Sequence, residues 1–230
     1  MIMSKLFHET VGKGISSLRE KVAEVKLRNL EVGEHFLPFY PIYISQLADA
    51  ENKSIKKAYG KIEDKVAAKK FGAVNLKDFS YWAWRSCGIV GTQMVLKTVI
   101  GDLFNKTTMD LINEGLEFCG YNVVKDVGWY HSALIKLVEK YRISAKSKKF
   151  ISSAEIALLL HSGICLLVSV KSSRGGHMLL FFGFRLNKNK KLDGFWYHDP
   201  YNFKRNGENL FISIDDLNRR STRRIILFKN

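Results

Sequence analysis

Phe7, Val11, Ile15, Leu18, Val22 and Val25 recur at steps of four and three, the spacing that stacks apolar side chains on one face of an α-helix. Gly12 and Gly14 weaken its first turns. Residues 35–47, HFLPFYPIYISQL, break that period with two prolines among aromatic and Ile residues, which predicts an extended arm or edge strand. Helical spacing returns with Ile55, Tyr59, Ile62 and Val66, predicting a short amphipathic helix, read as part of an insertion, that ends near Gly72. After WAWRSCG, the residues Ile89, Val90, Met94, Val95, Val99 and Leu103 form an apolar pattern suited to a central buried helix beginning at Cys87. Further helical patterns cover 108–118, 130–141 and 153–161. From residue 164 the texture changes to short apolar runs, ICLLVSV, HMLLFFGF, DGFWYHD, NLFISI and RIILF, separated by Gly, Asn and Lys turns. These predict antiparallel strands. Helices followed by strands make an α+β layout, and no internal repeat is visible.

Composition narrows the picture. A chain of 230 residues that is 46% hydrophobic can bury the core of one ordinary domain. Proline is scarce and no segment is low in complexity, so disorder is expected at the ends at most. The longest apolar runs, ICLLV and MLLFF, fall far short of the roughly 20 residues of a membrane span. The N-terminal sequence lacks the basic segment, apolar core and small-residue site of a secretory signal, so a cytoplasmic location is expected. Three cysteines cannot complete a disulfide framework, and none sits in a CxxC pair. Cys165, inside GICLLVSV, reads as a small buried hydrophobe, and Cys119, after a helix, as structural.

The formal net charge is +15, with most of the excess after residue 75, in clusters such as KSKK (146–149), NKNKK (187–191) and RRSTRR (219–224). Such clusters attract acidic proteins, nucleic acid or anionic lipid. No aromatic-interleaved binding motif accompanies them, so a solvated surface accounts for them most simply.

Three residues carry chemistry. A thiol is a useful nucleophile as its thiolate, and a helix N-terminus stabilises that anion through unpaired N–H groups and the helix dipole. Cys87 stands at such a position, with Ser86 available to cap and Gly88 leaving space beside the sulfur. His177 opens the strand HMLLFFGF directly after two glycines, where a base has a fixed direction and backbone can approach closely. Asp199 ends the next strand, with Pro200 halting the ladder. A carboxylate there can accept the imidazole N–H, hold its tautomer and stabilise the imidazolium. Cys, His and Asp in this order supply nucleophile, base and orienter for thiol-dependent acyl transfer.

The segments SCGIVGTQMVLKTV, TTMDLINEGLEF, GWYHSALIKLVEKY, GGHMLLFFGF and YHDPYN resemble those of the bacteriocin-processing, double-glycine leader peptidases (cysteine peptidase family thirty-nine), more closely their stand-alone relatives. The resemblance spans about residues 75–228. It implies a papain-like cysteine peptidase fold for 75–230, preceded by a helical and extended arm with an insertion over 1–74. It also implies an enzyme without cofactor, acting on a peptide or protein, with Cys87, His177 and Asp199 as the matched triad. Family members that trim leaders inside a transporter carry membrane spans and an ATPase; this sequence shows neither a span nor a GxxxxGK[ST] motif, so that substrate does not transfer.

The family places a glutamine six residues before the nucleophile to donate to the oxyanion, and Tyr81 stands there instead. Gln46, in YISQL, can occupy that place if residues 50–75 are inserted; the alternative donor is the Tyr81 hydroxyl. His198 is expected to face solvent, opposite its neighbour Asp199. His131 and His161 lack partners at metal-ligand spacing, so no zinc site is expected. Two rival readings remain: a peptidase-fold binding protein without turnover, suggested by Tyr81, Trp82 and Trp84, and a basic nucleic-acid-binding module.

Overall fold

The computed structural model describes residues 17–55, 57, 59–172, 175–203 and 205–229. Helix α1 covers 17–28. It is followed by strand β1 (Gly33–Phe36) and the helices α2 (Lys65–Phe71), α3 (Leu76–Ala83), α4 (Cys87–Ile100), α5 (Thr108–Glu117) and α6 (His131–Lys140). Strand β2 (Ser144–Lys149) and helix α7 (Ser153–His161) lead into β3 (Cys165–Ser172), β4 (Gly175–Leu186), β5 (Leu192–His198) and β6 (Leu210–Ser213). Helix α8 (Ile214–Arg220) and strand β7 (Ser221–Lys229) close the described chain. The strands form one antiparallel seven-stranded sheet of order β2-β7-β3-β4-β5-β6. β1 takes over the β3 edge of β4 at Gly183–Leu186, beyond the last β3 pairing at Phe181. This is the α+β architecture expected from the order of patterns.

Helix α4 organises the molecule. Every residue from Gly88 to Leu96 is buried, so this part of the helix is enclosed all round, between sheet and neighbouring helices. It can lie so close to the sheet because of Gly91: a Cβ there would stand 2.5 Å from Leu167 Cδ2 on β3. α5 and α7 each begin with a capping box, at Thr107/Asp110 and Ser152/Glu155, which fixes where they start.

Several local expectations are corrected. Of the N-terminal stripe, Phe7, Val11 and Ile15 lie outside the described residues. Leu18, Val22 and Val25 are 65%, 50% and 59% exposed, whereas Ala23 and Leu27 on another face are buried. The small Ala23 lets the α1 backbone approach closely, and Arg19 one turn earlier pairs with Glu155 at 3.4 Å. These contacts turn the larger side chains outward. The described residues of 55–64 form no helix: Ile55 bridges to Ile62, whose N–H donates to Ser80 Oγ at 2.9 Å, and the helix begins only after Asp64 caps Ala67. Three short elements, α3, β2 and α8, carry no expected pattern. β2 buries only Ala145, and α8 only Leu217, so neither shows an apolar period.

Gly91→Ala should destabilise the fold by about 1–3 kcal/mol through overpacking, even though alanine is intrinsically about 1 kcal/mol better in a helix. Urea unfolding measures this, and Leu167→Ala in the same chain should recover part of the loss, because the two side chains compete for one space.

Candidate active site

Cys87 is the first residue of α4, where the leading N–H groups of a helix have no intrahelical acceptor. The turn that presents it is tied down from three directions. Trp84 Nε1 donates to Gly60 O at 2.7 Å, Trp129 Nε1 donates to Arg85 O at 3.0 Å, and Gln46 Nε2 donates to Ala83 O at 2.8 Å. Ser86 does not cap: its hydroxyl turns back to Ala83 O at 3.5 Å. Gly88 lines a cavity beside Cys87, and it is also closely packed, since a Cβ there would lie 3.0 Å from Leu134 Cδ1 and 3.4 Å from Trp129 Cβ.

His177 lies near the start of β4, on the segment where β4 pairs with β3 across from Val170. Its Nε2 lies 2.7 Å from Asp199 Oδ1, with the two side chains only 12% and 18% exposed. A carboxylate only accepts, so Nε2 carries the proton and donates. Nδ1 is then free of Asp199, and Cys87 shares a cavity lining with the ring, close enough to help raise the His177 pKa. Burial pulls the His177 pKa down, but the hydrogen bonds to Asp199 and Cys87 and the charges of both outweigh it, and the value is pushed up to about 10.

The loop after β5 positions Asp199. Tyr201 N donates to the same Oδ1 at 2.8 Å, and Asp199 N donates to Gly207 O at 2.7 Å. Tyr201 also sets its ring edge-on to His177, with centroids 6.2 Å apart. The N-terminal segment is stitched to this loop: Tyr43 OH donates to Asp199 O at 3.3 Å, Ser45 Oγ to Asn202 O at 2.7 Å, and Gln46 N to Pro200 O at 2.9 Å. Gln46 thereby lines a cavity of about 400 Å³ together with Cys87, His177, Asp199 and Tyr201. It is buried, and its Oε1 has no hydrogen-bond partner. Tyr81 lines neither cavity beside Cys87; the Arg85 guanidinium lies 4.1 Å from its ring centroid, and the ring meets Trp82 edge-on.

His198, expected at the surface, is fully buried. Its Nε2 donates to Pro41 O at 3.0 Å and its Nδ1 accepts from Asn209 N at 3.1 Å. The side of β5 that faces away from Asp199 is covered by the segment around Tyr40 and Tyr43, which no strand-face rule anticipates. Cys165 is buried, and burial pushes its thiol up to about 12. Cys119, read as structural, is exposed. Trp129 and Tyr201, within GWY and DPY, also line the cavities beside Cys87, though no local pattern marks them as site residues. Among the described residues no group of three His, Cys, Asp or Glu side chains could hold a metal ion, and no single helix is long and apolar enough to cross a membrane.

No family model and no curated protein matches the chain. Solved structures do. The fold is similar to that of double-glycine peptidase domains. A double glycine motif protease from an AMS/PCAT transporter, solved with its leader peptide, is 17% identical, with 62% of this chain and 83% of that chain covered and a TM-score of 0.43. The peptidase domain of Streptococcus ComA is 15% identical over 63% and 90% of the two chains, with a TM-score of 0.44. A putative C39-like peptidase from Bacillus anthracis is 14% identical over 64% and 89%, with a TM-score of 0.47.

The raised His177 pKa has a testable sign. A ring whose folded value of about 10 exceeds its ordinary 6.5 adds stability that is complete below about pH 6.5 and is lost as pH rises toward 10. Asp199→Asn should lower the His177 midpoint, followed by NMR of the ring protons. Its stability deficit in urea should be widest near pH 6 and should narrow with rising pH.

Proposed function

We propose that this protein is a cysteine peptidase that hydrolyses peptide bonds through a thioester on Cys87. The observation that carries the reading is that Cys87, the first residue of a buried helix, shares one cavity with His177 and Asp199, with His177 Nε2 2.7 Å from Asp199 Oδ1.

His177 Nδ1 takes the Cys87 proton, giving a thiolate–imidazolium pair held by the helix N-terminus on one side and Asp199 on the other. The thiolate attacks the carbonyl carbon of the scissile bond, and the carbonyl π pair moves onto oxygen. Two donors face that oxyanion: the backbone N–H of Cys87 and the second amide proton of Gln46 Nε2, the first being used on Ala83 O. Gln46, not Tyr81, therefore takes the donor role. Collapse of the intermediate breaks the C–N bond while the imidazolium protonates the departing amine. Water then gives a proton to His177 Nδ1, its oxygen attacks the thioester, and the acid leaves as the thiolate is restored. Asp199 stays ionised throughout and keeps the ring from turning.

Iodoacetamide should alkylate Cys87 faster than the exposed Cys119 and far faster than the buried Cys165, as read by peptide mass spectrometry. His177→Ala should slow that labelling markedly, Asp199→Asn less so. If Cys87 labels no faster than Cys165, the peptidase reading fails. With a quenched fluorescent peptide library, Cys87→Ala should abolish cleavage and Gln46→Ala should lower kcat by about 10²–10³-fold, the cost of one oxyanion donor.

A further inference from the structure

A second cavity opens from Cys87 on the side away from Gln46 and Asp199, with a volume of about 730 Å³. Its floor follows from the sheet register. Lys149 on β2 pairs with Arg224 on β7, Arg224 with Ser169 on β3, and Ser169 with Met178 on β4. Direct cross-strand partners share a face, so these four side chains form one row. Leu167, two residues before Ser169, packs against Gly91 of α4, which places the row on the helix-bearing face. The helix ends short of it, and the row lies open in front of Cys87 and Gly88.

The electrostatics of this groove are one-sided. Its lining includes Lys149, Lys171, Arg223 and Arg224 and no Asp or Glu. Among the described residues Lys149, Lys171 and Arg224 make no ion pair. Burial first, and then Arg224 and Lys149, hold the neighbouring His131 below its ordinary pKa, as expected where positive potential goes uncompensated. Lys149 of KSKK and Arg223 and Arg224 of RRSTRR thus meet on one wall, whereas Lys190 and Lys191 of NKNKK lie at a different cavity beside Glu20 and Glu24. Nearer the thiol the lining turns apolar, with Val127, Trp129 and Met178.

We propose that this groove binds an acidic segment of the substrate polypeptide, its carboxylates paired with Lys149, Lys171 and Arg224 and an apolar residue seated between them and Cys87. The proposal rests on the peptidase reading in that the groove leads a peptide to Cys87. A peptide fits because a chain lying across strands β2, β7 and β3 passes the basic row and reaches the sulfur in one extended path.

Binding is measured on the full chain carrying Cys87→Ala, so that turnover plays no part, by fluorescence anisotropy of a fluorescein-labelled peptide of alternating Glu and Ala and its Gln counterpart. The Glu peptide should bind at least about tenfold more tightly, with affinity falling steeply as salt rises. Lys149→Glu with Arg224→Glu should remove that preference and favour a Lys peptide, while near-ultraviolet circular dichroism confirms the fold. Lys149→Gln with Arg224→Gln serves if the reversed pair does not fold. Equal binding of the Glu and Gln peptides, or a preference indifferent to both double variants, overturns the proposal. So does a single-stranded oligonucleotide that outcompetes the Glu peptide and is lost in the same variants, which would assign the groove to nucleic acid. Because the assay uses no thiol, its failure leaves the Cys87 labelling result standing, and an inert Cys87 leaves the binding result standing.

Discussion

The close seating of α4 on the sheet is the constraint on which the rest of the structure depends. Gly91 gives the helix its depth against Leu167, and a helix buried on all sides has little freedom to slide or roll. Its first residue is therefore fixed relative to the start of β4. The thiol and the imidazole come from positions 90 residues apart, yet their approach is decided by one helix–sheet contact and one antiparallel pairing. Glycines elsewhere serve the same end: Gly115 and Gly120 leave room for the Trp129 ring, whose indole N–H in turn holds the carbonyl of Arg85 just ahead of Cys87.

A second junction lies at the loop after β5. The Asp199 carboxylate receives the His177 N–H and the Tyr201 N–H on one oxygen, so it is held by its own loop before it holds the ring. Residues 43–46 bind the same loop through three hydrogen bonds. The N-terminal segment is thus part of the site's scaffold: β1 extends the sheet, Leu37 and Leu47 enter the common core, and Gln46 reaches the cavity at the thiol.

The two cavities beside Cys87 differ in kind. On one side acids stand beside bases, Asp126 with Arg85 at 2.7 Å and Asp199 with His177, alongside Arg220. On the other the basic residues have no acidic neighbours in the lining. A net charge of +15 alone predicts a basic surface; the register of β2 with β7 is what gathers part of it into a groove.

Apolar periodicity determined most of the architecture, because α4 to α7 and the strands from β3 onward bury whole faces and so write their period into the chain. It also placed Cys87 at a helix start, His177 on a strand and Asp199 at a strand end. Short elements that bury a single residue, such as β2 and α8, left no such imprint. Where an element's exposed side becomes covered by another segment, local rules misassign it: His198 is buried under the chain around Pro41, and α1 presents Ala23 rather than Val22 to the core. The choice between Gln46 and Tyr81 as neighbour of the thiol also lay beyond the sequence. It depends on a segment 40 residues upstream being returned to the site by hydrogen bonds to the Asp199 loop, and hydrogen bonds between backbone groups and distant loops have no periodic signature. Chemistry was legible residue by residue; proximity was decided by packing, because distance in space is set by which surfaces are buried together.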